Sequence, residues 1–180
     1  MKLICLHGPE STGKSTLATR LAAHLHCEVV PEYGRAYCEG HGTDISMAEL
    51  VHIAQVQADM NAAAAGRARE LGAAHVLFDT DPLITEVWAQ MMFGQSLTEA
   101  SDAWFAGFTD YADQYLLLDI DLPFVDDGLR VYAGAAERAH FFALCEAELE
   151  ARGVAYALVR GEGEARFEAA LAAIKQQKIP

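Results

Sequence analysis

Lysine is scarce in this 180-residue chain: Lys2, Lys14, Lys175 and Lys178 are all there are, and Lys14 stands alone between the two ends. Positive charge is short in general. Against 26 Asp and Glu there are 13 Lys and Arg, a formal net charge of −13, and such a surface repels nucleic acid over most of its area. The four cysteines, Cys5, Cys27, Cys38 and Cys145, show no CxxC or other ligand spacing and read as free, mostly buried thiols. No apolar run is long enough to span a bilayer, so no membrane insertion is expected. The opening MKLICLHG is too short and too soon broken by glycine to be a secretory signal, and a cytoplasmic protein is expected. There is no linker rich in Pro, Gly or Ser and no internal repeat. One domain over 1–180 follows, with a homo-oligomer left open.

What is present alternates in type. Short β-branched or leucine-rich runs predict strands at 3–6, 27–30, 75–79, 115–120 and 154–159. Between them, apolar residues at helical spacing predict helices over 14–26, 46–71, 82–92, around 98–112, over 135–151 and over 164–177. Strands alternating with helices imply right-handed crossovers. The expected fold is α/β, a P-loop NTPase-type five-stranded, mainly parallel sheet with helices on both faces.

Between the first strand and the first helix lies GPESTGKST, in which Gly8-x4-Gly13-Lys14-Ser15 fits G-x-x-x-x-G-K-[ST] at every position. Glycines let such a loop curl so that backbone N–H groups face phosphate oxygens, and the following helix adds its positive end. Lys14 is placed to reach the β- and γ-phosphates of ATP, and Ser15 to give its hydroxyl to Mg²⁺. Glu10, Ser11, Thr12 and Thr16 are counted with this nucleotide-binding loop. A second strand end, HVLFDTD, supplies Asp79 as a carboxylate acting on Mg²⁺, directly or through water, with Asp81 in the same turn. Asp119 and Asp121 compete for that role but read as solvated strand-end carboxylates.

A phosphate loop alone fits a hydrolase, a switch or a kinase. The late strands end LLLDID and ALVRGEG, and neither contains the Asn-Lys-x-Asp segment of a guanine-nucleotide switch. A small-molecule kinase needs an acceptor site, a group that orients the accepting hydroxyl, and a basic lid. VVPEYGRAY offers the first: Glu32, Tyr33, Arg35 and Tyr37 follow the second strand, where ligands of open α/β sheets bind. FVDDGLRVYAGAAERAHF offers a lid over about 124–138, with a turn at Asp126–Gly128 and Arg130 and Arg138 to meet the nucleotide. Trp88 opens toward the same mouth, Gln55 and Gln57 face it from a helix, and Met91 and Met92 read as packing. His7 receives no role. The adenine pocket is sought in the loop at 161–164.

GPESTGKSTL, VPEYGRAY, FDTDPLIT and FVDDGLR, in this order over roughly residues 3–160, resemble the ribosylnicotinamide kinase domain of NadR-type proteins. The resemblance implies phosphoryl transfer from ATP, with Mg²⁺, to the 5′-hydroxyl of nicotinamide riboside, giving nicotinamide mononucleotide. It implies that Gly8, Gly13, Lys14, Ser15 and Thr16 hold the nucleotide. Glu32 and Asp81 would meet the ribose, and Arg130 would belong to the lid. Either Glu32 or Asp81 is then the base. With the phosphate loop beginning at residue 8 and no HxGH-type segment in the chain, only the kinase module is expected.

Overall fold

The structure, a computed structural model, describes residues 1–101 and 103–176. Its five strands are β1 (Lys2–His7), β2 (Glu28–Val30), β3 (His75–Phe78), β4 (Gln114–Leu118) and β5 (Tyr156–Val159), each within two residues of the predicted run at both ends. All pair in parallel, in the order β2-β3-β1-β4-β5. A parallel sheet is covered on both faces, which is why the central strands read as unbroken apolar runs rather than alternations. β4 is buried at every position.

Alternate residues of each strand serve opposite cores. On one face Ile4, Leu6, Leu77, Leu116 and Leu118 meet α1 (Lys14–Leu25) and α7 (Gly163–Gln176) through Leu17, Leu21, Phe167 and Leu171. On the other, Cys5, Val76, Phe78, Tyr115 and Leu117 meet α3 (Met47–Glu70), α4 (Pro82–Phe93) and α6 (Ala135–Ala151) through Leu50, Leu83, Val87, Phe141 and Leu149. α3 starts at a capping box, in which Ser46 Oγ accepts from the Glu49 N–H at 3.3 Å and Glu49 Oε2 accepts from the Ser46 N–H at 2.8 Å. The predicted end of the last helix, residue 177, lies outside the described residues.

Two local readings change. The chain after Pro31 forms a helix, α2 (Tyr33–His41), with no buried residue of its own. Its glycines, Gly34 and Gly40, lower helix propensity and hide it in the sequence. Around 98–112 the single predicted helix is instead α5 (Leu97–Ala100), a 3₁₀ turn over Phe105–Gly107 and irregular chain, position 102 being outside the described residues. Its helix-like apolar spacing comes from an aromatic cluster. Phe105 and Phe108 stack with rings 6.4 Å apart, Trp104 and Tyr111 pack beside them, and the Arg152 guanidinium lies 4.5 Å above Phe105.

The chain winds from central β1 outward to β2, returns through β3 beside β1, then crosses to β4 and β5. The loops that leave β1, β2 and β3 therefore open at one edge, where the strand order reverses.

Candidate active site

The phosphate loop leaves β1 at Gly8 under a close approach. A Cβ there would lie 2.9 Å from the Leu118 carbonyl, and its φ of +135° is closed to other residues. Positive φ recurs at Ser11 and Gly13, which curls the loop. Gly13 then caps α1 with no side-chain hydrogen bond and no acidic residue in the first turn. The unspent N–H groups and the positive end of the helix are thus kept for an external anion. Lys14 Nζ donates to the carbonyls of Gly8 and Pro9, each at 2.8 Å, and Thr12 Oγ1 donates to Pro9 O at 2.8 Å. An ammonium has three protons, so Lys14 retains one donor while holding the loop's shape.

Beneath the loop stands Arg166, a residue with no local signal in the sequence. Its side chain is 4% exposed. It donates to Gly161 O at 2.6 Å, Thr12 O at 2.8 Å and Asp119 O at 3.2 Å, and it pairs with Asp121. Asp121 also accepts from the Gly161 N–H at 2.6 Å, and Asp119 pairs with Arg160 at 2.7 Å. These two carboxylates fasten loops rather than stand in solvent, and the loop at 161–164 does not line the central cavity. Arg166→Ala is expected to cost about 2 kcal/mol and roughly 5 °C of melting temperature. Arg166→Lys should recover little, because one ammonium cannot span these acceptors. Thermal unfolding checks both, and a melting temperature unchanged in Arg166→Ala would remove the guanidinium from this role.

One cavity joins the phosphate loop to the predicted acceptor side. It is lined by Glu10 to Thr16, by Glu32, Gly34, Arg35 and Cys38, by Gln57, Thr80, Ile84 and Trp88, and by Leu129 to Val131. The helical period of α2 explains which residues of PEYGRAY arrive. Positions 32, 35 and 38 share one face, whereas Tyr33 and Tyr37 turn away and do not line the cavity. The Tyr33 ring is 6.1 Å from those of Tyr37 and His52, and Tyr37 stacks on His41 at 4.2 Å. Glu32 is half-buried. Burial pushes its carboxyl pKa up, opposed by the Lys14 charge and reinforced by Asp79 and Glu10.

The two carboxylates of DTD part company. Asp81 is 2% exposed and fully engaged: Oδ1 accepts from the Leu83 N–H at 3.0 Å as the cap of α4, and Oδ2 accepts from the Tyr115 hydroxyl. Burial pushes its pKa up to about 6. Asp79 directly follows β3, its N–H donating to Val30 O at 2.9 Å, and its buried Oδ1 has no partner among the described residues. Neither lines the cavity, but Thr80 between them does. Nearby, His7 is fully buried with both ring nitrogens unpartnered, edge-on to Tyr115, and burial pushes its pKa down to about 3.

A magnesium ion is implied by the loop, and the residues fit one. Ser15 lines the cavity, and Asp79 Oδ1 is a buried carboxylate oxygen with no hydrogen-bond partner among the described residues. The described residues contain no cluster of three His, Cys, Asp or Glu. Mg²⁺ keeps several waters and takes phosphate oxygens, so it needs few protein ligands.

Segment 123–131 closes over the loop. The Val125 N–H donates to Ser11 Oγ at 2.8 Å, Arg130 Nη1 donates to the same oxygen at 3.0 Å, and the Val131 N–H donates to Glu10 at 3.1 Å. Asp127 Oδ2 bridges Arg130 Nε at 3.2 Å and Arg35 of α2 at 2.9 Å. Arg138 belongs to α6 and does not reach the cavity. Its Nη2 donates to Leu122 O at 3.1 Å, and its guanidinium lies 5.9 Å from the Phe124 ring. Trp88 and Phe141 line the cavity, the Phe141 ring edge-on to the indole at 5.0 Å, and Tyr132, which does not line it, stacks on Trp88 at 5.6 Å. Met92 joins this lining, Met91 packs in the core, and Gln55 does neither.

Known proteins are similar to this chain in sequence and fold. The curated relative "Trifunctional NAD biosynthesis/regulator protein NadR" of Escherichia coli (strain K12) is 30% identical over 176 residues, covering 93% of this chain and 40% of its own length. A crystal structure of NadR protein in complex with NR superposes with a TM-score of 0.77 at 25% identity, covering 97% of this chain and 51% of that one. A deoxyadenosine kinase from M. mycoides shares the fold with a TM-score of 0.69 at 10% identity, covering 97% of this chain and all of its own. The chain thus spans about half the length or less of the NadR proteins it matches. Among the described residues, no helix is long and apolar enough to cross a membrane. A family model described as AAA domain matches residues 3–166. With its phosphate loop, its parallel sheet and a match over nearly the whole of its length, this chain belongs to the AAA domain family of P-loop proteins.

Proposed function

We propose that this protein is a small-molecule kinase that transfers the γ-phosphoryl group of ATP to the 5′-hydroxyl of nicotinamide riboside. The observation that carries this reading is the shared cavity, in which phosphate-loop residues, the Glu32 carboxylate and the Trp88 wall line one space. A hydrolase needs no such second half. NadR proteins, one with NR in its crystal structure, support the choice of acceptor. An aromatic wall beside Glu10 and Glu32 also suits a planar cationic ring.

Phosphoryl transfer passes through a loose transition state, so alignment and charge neutralisation outweigh base strength. Lys14, the start of α1 and Arg130 hold the γ-phosphoryl group. Glu32 orients the hydroxyl and takes its proton as the oxygen–phosphorus bond forms and the bond to the leaving ADP breaks. Mg²⁺, when held by Ser15 and Asp79, neutralises phosphate charge. Segment 123–131 keeps out water, the competing acceptor.

ATP consumption measured over a panel of nucleosides tests the reading. Nicotinamide riboside should give rapid turnover, with slow hydrolysis in its absence. Turnover with another nucleoside but none with nicotinamide riboside would reassign the acceptor. Hydrolysis indifferent to every alcohol would make the protein an ATP-dependent sensor instead.

A further inference from the structure

Two buried amides on α3 form a relay ending on either side of the carboxylate assigned as base. Gln57 is 1% exposed and Asn61, one turn later on the same face, is 7% exposed. Gln57 Oε1 accepts from the Tyr33 N–H at 2.7 Å, and its Nε2 donates to Pro31 O at 3.3 Å and Asn61 Oδ1 at 3.0 Å. Asn61 Nδ2 donates in turn to Thr80 O at 3.1 Å. The direction of every bond is dictated, because a backbone N–H only donates and a carbonyl only accepts. Both protons of the Gln57 amide are thereby used, so although Gln57 lines the cavity it has no donor left for a ligand.

Pro31 and Tyr33 are the neighbours of Glu32. The Glu32 side chain makes no capping bond to α2, so its backbone decides where its carboxylate stands. The far end of the relay grips Thr80, the residue between Asp79 and Asp81.

We infer that Gln57 and Asn61 are positioning residues that hold Glu32 in register with the end of β3 for phosphoryl transfer. This rests on the reading of Glu32 as the base. A displacement on the order of 1 Å at a reacting group costs up to about a hundredfold in rate. Gln57→Leu keeps the bulk and removes the clamp, and it should lower kcat about ten- to hundredfold with ATP affinity unchanged. Asn61→Ala, which touches neither cavity nor ligand, should give a smaller loss of the same kind and covers the case in which Gln57→Leu does not fold.

The deciding measurement is a kinetic cycle with Glu32→Gln. If the amides act through Glu32, the losses from Gln57→Leu and Asn61→Ala nearly vanish in the Glu32→Gln background. The acid limb of the kcat/KM profile should also move in both single variants. Losses of equal factor in the two backgrounds, or a rise in acceptor KM alone, would overturn the inference while leaving the base in place. Normal turnover by Glu32→Gln itself would instead remove the base assignment and the inference with it.

Discussion

Replacing Lys14 with alanine is expected to lower phosphoryl transfer by about a hundred- to a thousandfold while leaving the fold intact. The size of the effect follows from where charge gathers. In the transition state the transferring group spreads its negative charge over three oxygens, and the groups that meet it must be in place beforehand. Among the lysines, Lys14 alone lies in the loop, so no neighbouring ammonium can replace it. Arginine is a poor substitute, since its planar fork does not fit where a compact ammonium meets two loop carbonyls. Stability should change little, because Lys14 is only half-buried and the loop keeps the Thr12 and Arg166 bonds. Turnover and thermal unfolding on the same sample check both halves, and near-normal turnover would sink the assignment of the loop.

Glu32→Gln is expected to lose about a hundredfold in kcat/KM, toward the low end for removing a general base because the transition state is loose. In the parent, activity should fall as pH drops through the Glu32 pKa, which burial raises from its ordinary value. The stability effect has the opposite sign. A carboxyl with a raised folded pKa holds its proton where the unfolded chain has lost it, so its contribution to stability falls as pH rises through that window. At neutral pH the ionised group is a cost that glutamine removes. The variant should therefore be much slower and no less stable.

Asp81→Asn is the matched control. Asp81 is occupied by the α4 cap and Tyr115, and its pKa of about 6 makes stability fall between roughly pH 4 and pH 6 as pH rises. Asparagine should flatten that slope and leave turnover within a few-fold. Reversed outcomes, a fast Glu32→Gln and a dead Asp81→Asn, would move the base to Asp81.

Much of this was legible because it is local in sequence. The strands were visible as apolar runs because a parallel sheet buries both faces, and the phosphate loop because its shape needs glycine at fixed offsets. Thr12 and Arg166 meet across 154 positions, with no pattern to announce it. Glu32 and Arg35 are legible from their place after a strand end, but Tyr33 and Tyr37 group with them because the glycines of α2 hide its helical period. As a helix, α2 sorts its residues by angle. Asp79 and Asp81 look alike in the sequence and are both buried, and it is their partners, the Leu83 N–H and the Tyr115 hydroxyl on Asp81, that separate them. Gln57 is visible as a polar residue facing the mouth, but its partners Pro31 and Tyr33 lie more than twenty positions away.

The sheet with its two separate cores also divides what stands behind the two ends of the cavity. The nucleotide end rests on the face built with α1 and α7, whereas Leu50, Ile53, Ile84, Trp88, Met92 and Phe141 reach the cavity from α3, α4 and α6 on the other. Substitutions on that second face can reshape that side of the cavity without disturbing the packing behind the phosphate loop. On the proposed reading, the fold would leave the choice of alcohol free to drift while the handling of the triphosphate stayed constant.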